Sequence, residues 1–292
     1  MGSVEIPLPN GSRVHEGKLA IVTGSARSIG AAIVRNLASK GCNVIVNHAT
    51  EGSDKVASEL CNELETTYRV KAIWVRGDVS KRDDCTKIVE AAKANFRNPQ
   101  TGSLQIDILV HNAGIFIAGP LETVLESDFE RLFAVNVLGP TLLTAACLPH
   151  LPTDRSGRVV IVSSIASKVG NPNMGLYAGT KGAVEAMARV WCRELAERAT
   201  VNTINPGPVM NDLYLSSGEH LKSWGAQLNR ITPLAAVRPS DSFEVREVAK
   251  QVGGRPAHES EIAGVVATLC SPDAAWCTGS LVCANGGTIF SY

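Results

Sequence analysis

An excess of charge of either sign is missing from this chain: its 292 residues set 28 Lys and Arg against 28 Asp and Glu. A neutral chain has no basic field to gather nucleic acid or an acidic membrane surface, so neither is expected as a partner. Paired cysteines are missing too. The eight cysteines are scattered without a CxxC pair, which argues against a zinc site or a disulfide framework and leaves reduced thiols in a cytoplasmic protein as the expectation. No apolar run approaches the roughly 18 residues of a bilayer span. The first fifteen residues carry prolines and charges instead of a signal-peptide core, and Ile6 stands where myristoylation of Gly2 would need Ser or Thr. Residues 1–16 therefore read as a loose leader. No internal repeat or low-complexity linker interrupts the remainder of the chain.

What is present is a long alternation of strand and helix. With 45% hydrophobic residues the chain can bury an ample core. Short β-branched runs lie at 18–23, 43–47, 72–75, 107–111, 158–163, 200–205 and 281–284. Between them fall helical periods such as Val56, Leu60 and Leu64, and a capping-box start at Ser127 with Glu130. Apolar strands alternating with helices predict an α/β fold: a doubly wound parallel sheet with helices on both faces, in a single domain over 17–292.

Two stretches carry chemistry. In "TGSARSIG", residues 23–30, an apolar strand turns into a helix, which is where a pyrophosphate meets free backbone N–H groups and the positive end of a helix dipole. Gly24 permits the tight turn and Gly30 a close approach of the helix to strand or phosphate. Alone, the stretch reads equally well as a plain connection. In "YAGTK", Tyr177 and Lys181 lie four residues apart on one helix face, so an ammonium can lower the pKa of a phenol toward the working range. Ser164, at the end of "VVIVSS", sits where strand ends face a ligand crevice.

Together with "HNAG" (111–114), "NV" (136–137), "NPGPV" (205–209) and "CTGSLVCANGG" (277–287), these motifs resemble the short-chain dehydrogenase/reductase family from about residue 17 to 288. The resemblance implies a Rossmann-like fold and a catalytic set of Ser164, Asn136, Tyr177 and Lys181. Tyr177 would protonate a carbonyl oxygen while hydride arrives from a nicotinamide, and Ser164 would hydrogen-bond that oxygen. Lys181 would hold the ribose and tune the tyrosine, and Asn136 would position a water. It also implies a cofactor bed of Gly24, Arg27, Ser28, Ile29, Gly30, Asn47, His48, Ala49, Asp78, Val79, Asn112, Ala113, Gly114, Tyr177, Lys181, Pro206, Gly207 and Val209. Ser28 and Asn211 depart from the family pattern, which has glycine at the first and often threonine near the second. His111 reads as a structural strand-end residue, and Asp78 reads equally as a helix cap.

Neutral Asn47 replaces the acidic strand end of NAD-preferring members, and Arg27 offers a charged fork, so NADP(H) is the expected cofactor. An exposed loop charge is the competing reading of Arg27. Residues of about 210–255, with Leu213, Tyr214, Leu215, Leu221, Trp224 and Leu228, read as a substrate lid or as a partner surface. Phe116, Met174 and Leu176 point to a mainly apolar pocket. The expected activity is NADPH-dependent reduction of a small-molecule ketone, a biosynthetic acyl or polyketide-like carbonyl, by a homodimer or homotetramer. A non-redox protein of the same fold, a cyclase or regulator, is the alternative.

Overall fold

The strands of this protein alternate their side chains between two hydrophobic layers. In the computed structural model, which describes residues 13–211, 214 and 219–290, Ala20, Val22, Val44, Val46, Ile108, Val110 and Val160 enter one layer. Leu19, Ile21, Ile45, Leu109, Val159 and Ile161 enter the other. Full burial of such a side chain is worth about 1.5–3 kcal/mol, so both faces hold the sheet in register. Residues 1–12 of the expected leader, with Leu213 and Leu215 of the expected lid, lie outside the described residues, as does the Leu221 side chain.

The seven runs form β1 (Leu19–Val22), β2 (Asn43–His48), β3 (Ala72–Arg76), β4 (Ile108–His111), β5 (Gly157–Val162), β6 (Ala199–Ile204) and β7 (Leu281–Val282). They make one sheet in the order β3-β2-β1-β4-β5-β6-β7, every pair parallel. The chain winds outward from β1 in both directions, and the crevice at that switch point collects the loops after β1, β4, β5 and β6.

Helices cover both faces. On the first lie α1 (Ser28–Ser39), α2 (Asp54–Tyr68) and a helix over Glu259–Cys270; on the second lie α3 (Arg82–Phe96), the Gly139–Cys147 helix and the long Gly175–Glu194 helix. In α1, Gly30, Ile33, Val34 and Leu37 recur on one buried face. In α2 the buried face is Ala57, Leu60, Cys61 and Leu64, whereas Val56 is exposed, so the expected stripe is shifted by one residue.

Two further expectations need correction. Helix α4 (Glu126–Phe133) starts one residue before Ser127, with Leu125 as N-cap and no side-chain cap, so the capping box does not form; Glu126 and Asp128 complement the helix dipole instead. Helix α4 then runs through a π-helical turn, Ala134–Leu138, into α5 (Gly139–Cys147). The combined run Glu126–His150 is long and apolar enough by composition to cross a bilayer, contrary to the reading of the bare sequence. It lies against the second face of the sheet, with Leu132, Leu142 and Leu143 in the core.

His111 is the structural residue expected: buried, with Nε2 2.8 Å from the Thr144 hydroxyl. Burial lowers its pKa to about 3.

Candidate active site

The loop after β1 is built around two glycines. Gly24 has φ +62°, and a Cβ there would meet the Ala113 backbone at 2.9 Å. A Cβ on Gly30 would lie 2.5 Å from the Gly24 carbonyl, so this glycine lets α1 close on the loop's own backbone. Asn112 reinforces the turn by donating from Nδ2 to the carbonyls of Thr23 at 2.9 Å and Gly24 at 3.0 Å. Thr23, which sequence reasoning passed over, is buried and accepts at Oγ1 from the amides of Asn112 and Ala113. Its place directly before the first loop glycine was the available signal.

Ser28 adopts φ +54°, a left-handed conformation that costs an L-residue about 1–2 kcal/mol and that glycine takes freely. Helix α1 starts there, and its first intrahelical bond runs from the Ala31 amide to the Arg27 carbonyl. The amides of Ser28, Ile29 and Gly30 therefore precede the ladder at the positive end of the helix, an arrangement that suits a diphosphate.

The end of β2 is arranged differently from expectation. Asn47 is buried, accepts from the Gly24 amide at 3.4 Å, and donates to the carbonyls of Val75 at 3.2 Å and Gly77 at 3.0 Å. His48 is also buried, with Nδ1 3.1 Å from the Thr50 carbonyl. The Asn47 side chain is committed to scaffold bonds that support the loop, whereas His48 Nε2 lies 3.5 Å from the Asp54 carboxylate and has no hydrogen-bond partner among the described residues. Ala49 and Arg27 remain exposed, and Arg27 has no side-chain partner among the described residues. Asp78 accepts at Oδ1 from the amide and hydroxyl of Ser80, a local turn cap, while Val79 packs in the core.

The catalytic candidates converge. Tyr177 and Lys181 project from α7, the Gly175–Glu194 helix; Ser164 lies in the turn after β5, which leads into the short α6 (Ala166–Val169). Burial raises the Tyr177 pKa, and a hydrogen bond with Ser164 lowers it. The Lys181 ammonium lies 5.6 Å from the Tyr177 ring centre and donates to the Val162 carbonyl. Burial lowers Lys181 itself to about 8, against a rise caused by Glu185.

Asn136 occupies the π-helical turn, a distortion that often marks functional sites. Its Oδ1 accepts from the Ile115 amide at 2.9 Å, and its Nδ2 donates to the Ile115 carbonyl at 3.0 Å and the Thr180 hydroxyl at 3.1 Å. Asn136 thus ties the loop after β4 to α7. Thr180, a second residue that sequence reasoning missed, connects these elements across a separation no local pattern reveals.

A cavity of ≈ 250 Å³ opens in front of this group. Ile29, Asn112, Gly114, Pro206, Gly207 and Val209, all expected cofactor contacts, are among its lining residues. Phe116 and Met174 form part of its wall, and Phe116 meets Tyr177 edge-on with ring centres 4.9 Å apart. Leu176, expected in the pocket, is not among the lining residues. Asn211, Tyr214, Gly225 and Leu228 line the cavity from the segment after β6, which contains α8 (Glu219–Ile231) and α9 (Phe243–Val252). Trp224 is half-buried in α8. Asn171 also lines the cavity, with its Oδ1 buried and without a hydrogen-bond partner among the described residues.

The family model described as short chain dehydrogenase matches residues 18–221. An L-xylulose reductase of Aspergillus niger is 43% identical, covering 96% of this chain and all of its own length. An L-xylo-3-hexulose reductase of Hypocrea jecorina is also 43% identical, covering 94% of this chain and 98% of the relative. Among solved structures, a blue fluorescent protein from a metagenomic library, in complex with NADPH, superposes with a TM-score of 0.79 at 31% identity, covering 94% of this chain and 99% of that one. With its parallel sheet, glycine-built loop and Ser-Tyr-Lys wall, this chain belongs to the short-chain dehydrogenase/reductase family of oxidoreductases.

Proposed function

We propose that this enzyme reduces the carbonyl of an open-chain, sugar-like hydroxy ketone to a secondary alcohol with NADPH. The observation that carries the reading is the convergence of Ser164, Tyr177 and Lys181 on one wall of a single cavity. The names of the two 43% identical reductases support the same class.

The residues fit the cofactor. The amides of Ser28, Ile29 and Gly30 suit its diphosphate, and exposed Arg27 suits a 2′-phosphate. Asp78 is assigned to adenine, Asn112, Ala113 and Gly114 to the middle of the nucleotide, and the backbone of Pro206, Gly207 and Val209 to the carboxamide. The NADPH in the related solved structure supports NADP(H). When bound, the nicotinamide supplies hydride.

The chain's own residues do the rest. Ser164 donates to the carbonyl oxygen, and Tyr177 transfers its phenolic proton there as negative charge develops. The Lys181 cation stabilises the resulting phenolate. Asn136 keeps the β4 loop and α7 in register for this transfer, and Phe116 holds the tyrosine ring from its edge. Association into a homodimer or homotetramer is part of the reading, supported by the exposed apolar side chains Leu125, Phe129 and Leu138 along one helical run.

A larger acyl or polycyclic ketone is the second reading, favoured by the apolar wall of Ile115, Phe116, Met174 and Leu228. Steady-state NADPH oxidation with L-xylulose, other ketoses, a 3-oxoacyl thioester and a polycyclic ketone separates the two. The proposal expects the highest kcat/KM with a ketose. A higher value for the thioester or the polycyclic ketone moves the assignment to the second reading, and no oxidation with any ketone favours a non-redox role.

A further inference from the structure

We propose that Glu185 is a positioning residue for the reduction, its carboxylate clamping the turn that presents Ser164 and placing a negative charge behind Lys181. The inference rests on the reductase reading above. Tyr177, Lys181 and Glu185 follow at intervals of four on α7, so they share one helix face. Glu185 is 2% exposed. A carboxylate so deep needs partners that hold it, and these partners lie around the catalytic serine.

Glu185 Oε1 accepts from the Ser163 hydroxyl at 2.6 Å and from the Ser167 hydroxyl at 2.6 Å. Ser164 lies between them in sequence. Its own backbone carbonyl lies 2.9 Å from Ser167 Oγ, whose single proton serves Glu185 at the shorter distance, and its Oγ accepts from the Ala166 amide at 3.2 Å. One carboxylate oxygen therefore restrains the turn on both sides of the hydroxyl assigned to the substrate oxygen. The same serine clamp lies beside the Lys181 anchor, since Ser163 directly follows Val162, whose carbonyl receives the ammonium.

The other oxygen, Oε2, lies 3.1 Å from the ammonium of half-exposed Lys168 on α6. Lys168 from α6, with Lys181 and Arg189 from α7, are the charged groups around Glu185; Arg189 donates to its backbone carbonyl. The neighbouring stretches 159–162, 199–204 and 134–138 bring no charged side chain. Loss of the Glu185 charge leaves Lys168 uncompensated, which disfavours a proton on both Lys181 and Tyr177.

The test compares Glu185→Gln and Ser167→Ala with the wild-type enzyme, using a ketone that the wild type reduces. In Glu185→Gln, which keeps an acceptor and removes the charge, kcat should fall about tenfold, with NADPH affinity within about twofold of wild type. The basic limb of its kcat profile should move to lower pH. Ser167→Ala loosens the clamp and keeps the charge; it should lower kcat by a few-fold without moving that limb, and it keeps the inference testable if the glutamine variant does not fold. A merely structural role lowers the Tm and leaves kcat and its pH profile unchanged in the folded protein, which would overturn the inference. Failure of the wild type to reduce any ketone would overturn the reductase reading, and the inference with it.

Discussion

The Lys181 ammonium donates to the Val162 carbonyl at 2.8 Å, joining α7 to the last residue of β5 behind the catalytic wall. The contact holds a buried cation whose pKa is lowered to about 8 by burial. Lys181 is charged below that pH and neutral above it. Reduction should therefore lose kcat/KM as pH rises through about 8 in the free enzyme. Lys181→Met should lower both rate and NADPH affinity and abolish this decline. A profile unchanged by the substitution would remove Lys181 from the proton account.

Arg27→Ala should weaken NADPH far more than NADH, because a charged hydrogen bond to a phosphate is worth about 1.5–3 kcal/mol. Fluorescence titration with both cofactors checks this, and equal weakening would contradict the assignment. Asn47→Asp tests something else. Its amide donates to the carbonyls of Val75 and Gly77, so a carboxylate there faces two acceptors and should lower the Tm without a clean switch to NADH. A stable, NADH-preferring variant would show that Asn47 faces the cofactor after all.

His15 is fully buried, with both ring nitrogens lacking hydrogen-bond partners among the described residues, and burial with Lys18, Lys40 and Arg158 nearby lowers its pKa from 6.5 to about 4. The unfolded chain binds this proton first. Stability should fall as pH drops from 6.5 and level off near 4, a loss of about 3 kcal/mol from this group. Urea midpoints measured across that window should vary less in His15→Leu than in the wild type. An identical slope would show that the side chain is protonated alike in both states.

Residues of about 210–255 should act as a cover ordered by ligand. Asn211, Tyr214, Gly225 and Leu228 from this stretch line the cavity. Amide exchange and protease cleavage there should slow when NADP and a substrate analogue are added. Full protection without ligand would instead favour a permanent packing or subunit-contact role.

The strands and the Tyr177–Lys181 pair were legible because their signals are local: apolar runs for a sheet covered on both faces, and a four-residue interval for one helix face. The glycine loop was legible for the same reason. What stayed hidden depends on distant partners. The inward commitment of Asn47 is set by carbonyls on β3 and beyond, the Asn136 contacts by Ile115 and Thr180, and the Glu185 clamp by two serines on another segment. The start of α4 escaped for another reason: Ser127 and Glu130 carry a capping pattern, but the chain turns helical one residue earlier and Ser127 falls inside the helix.

The most direct test of the central claim is the turnover of Tyr177→Phe with NADPH and a ketone that the wild type reduces, measured beside its NADPH affinity. The phenolic proton is used only in the chemical step, so turnover should fall by about a thousandfold or more while NADPH binds within a few-fold of wild type. Turnover that falls less than about tenfold would contradict Tyr177 as the proton donor.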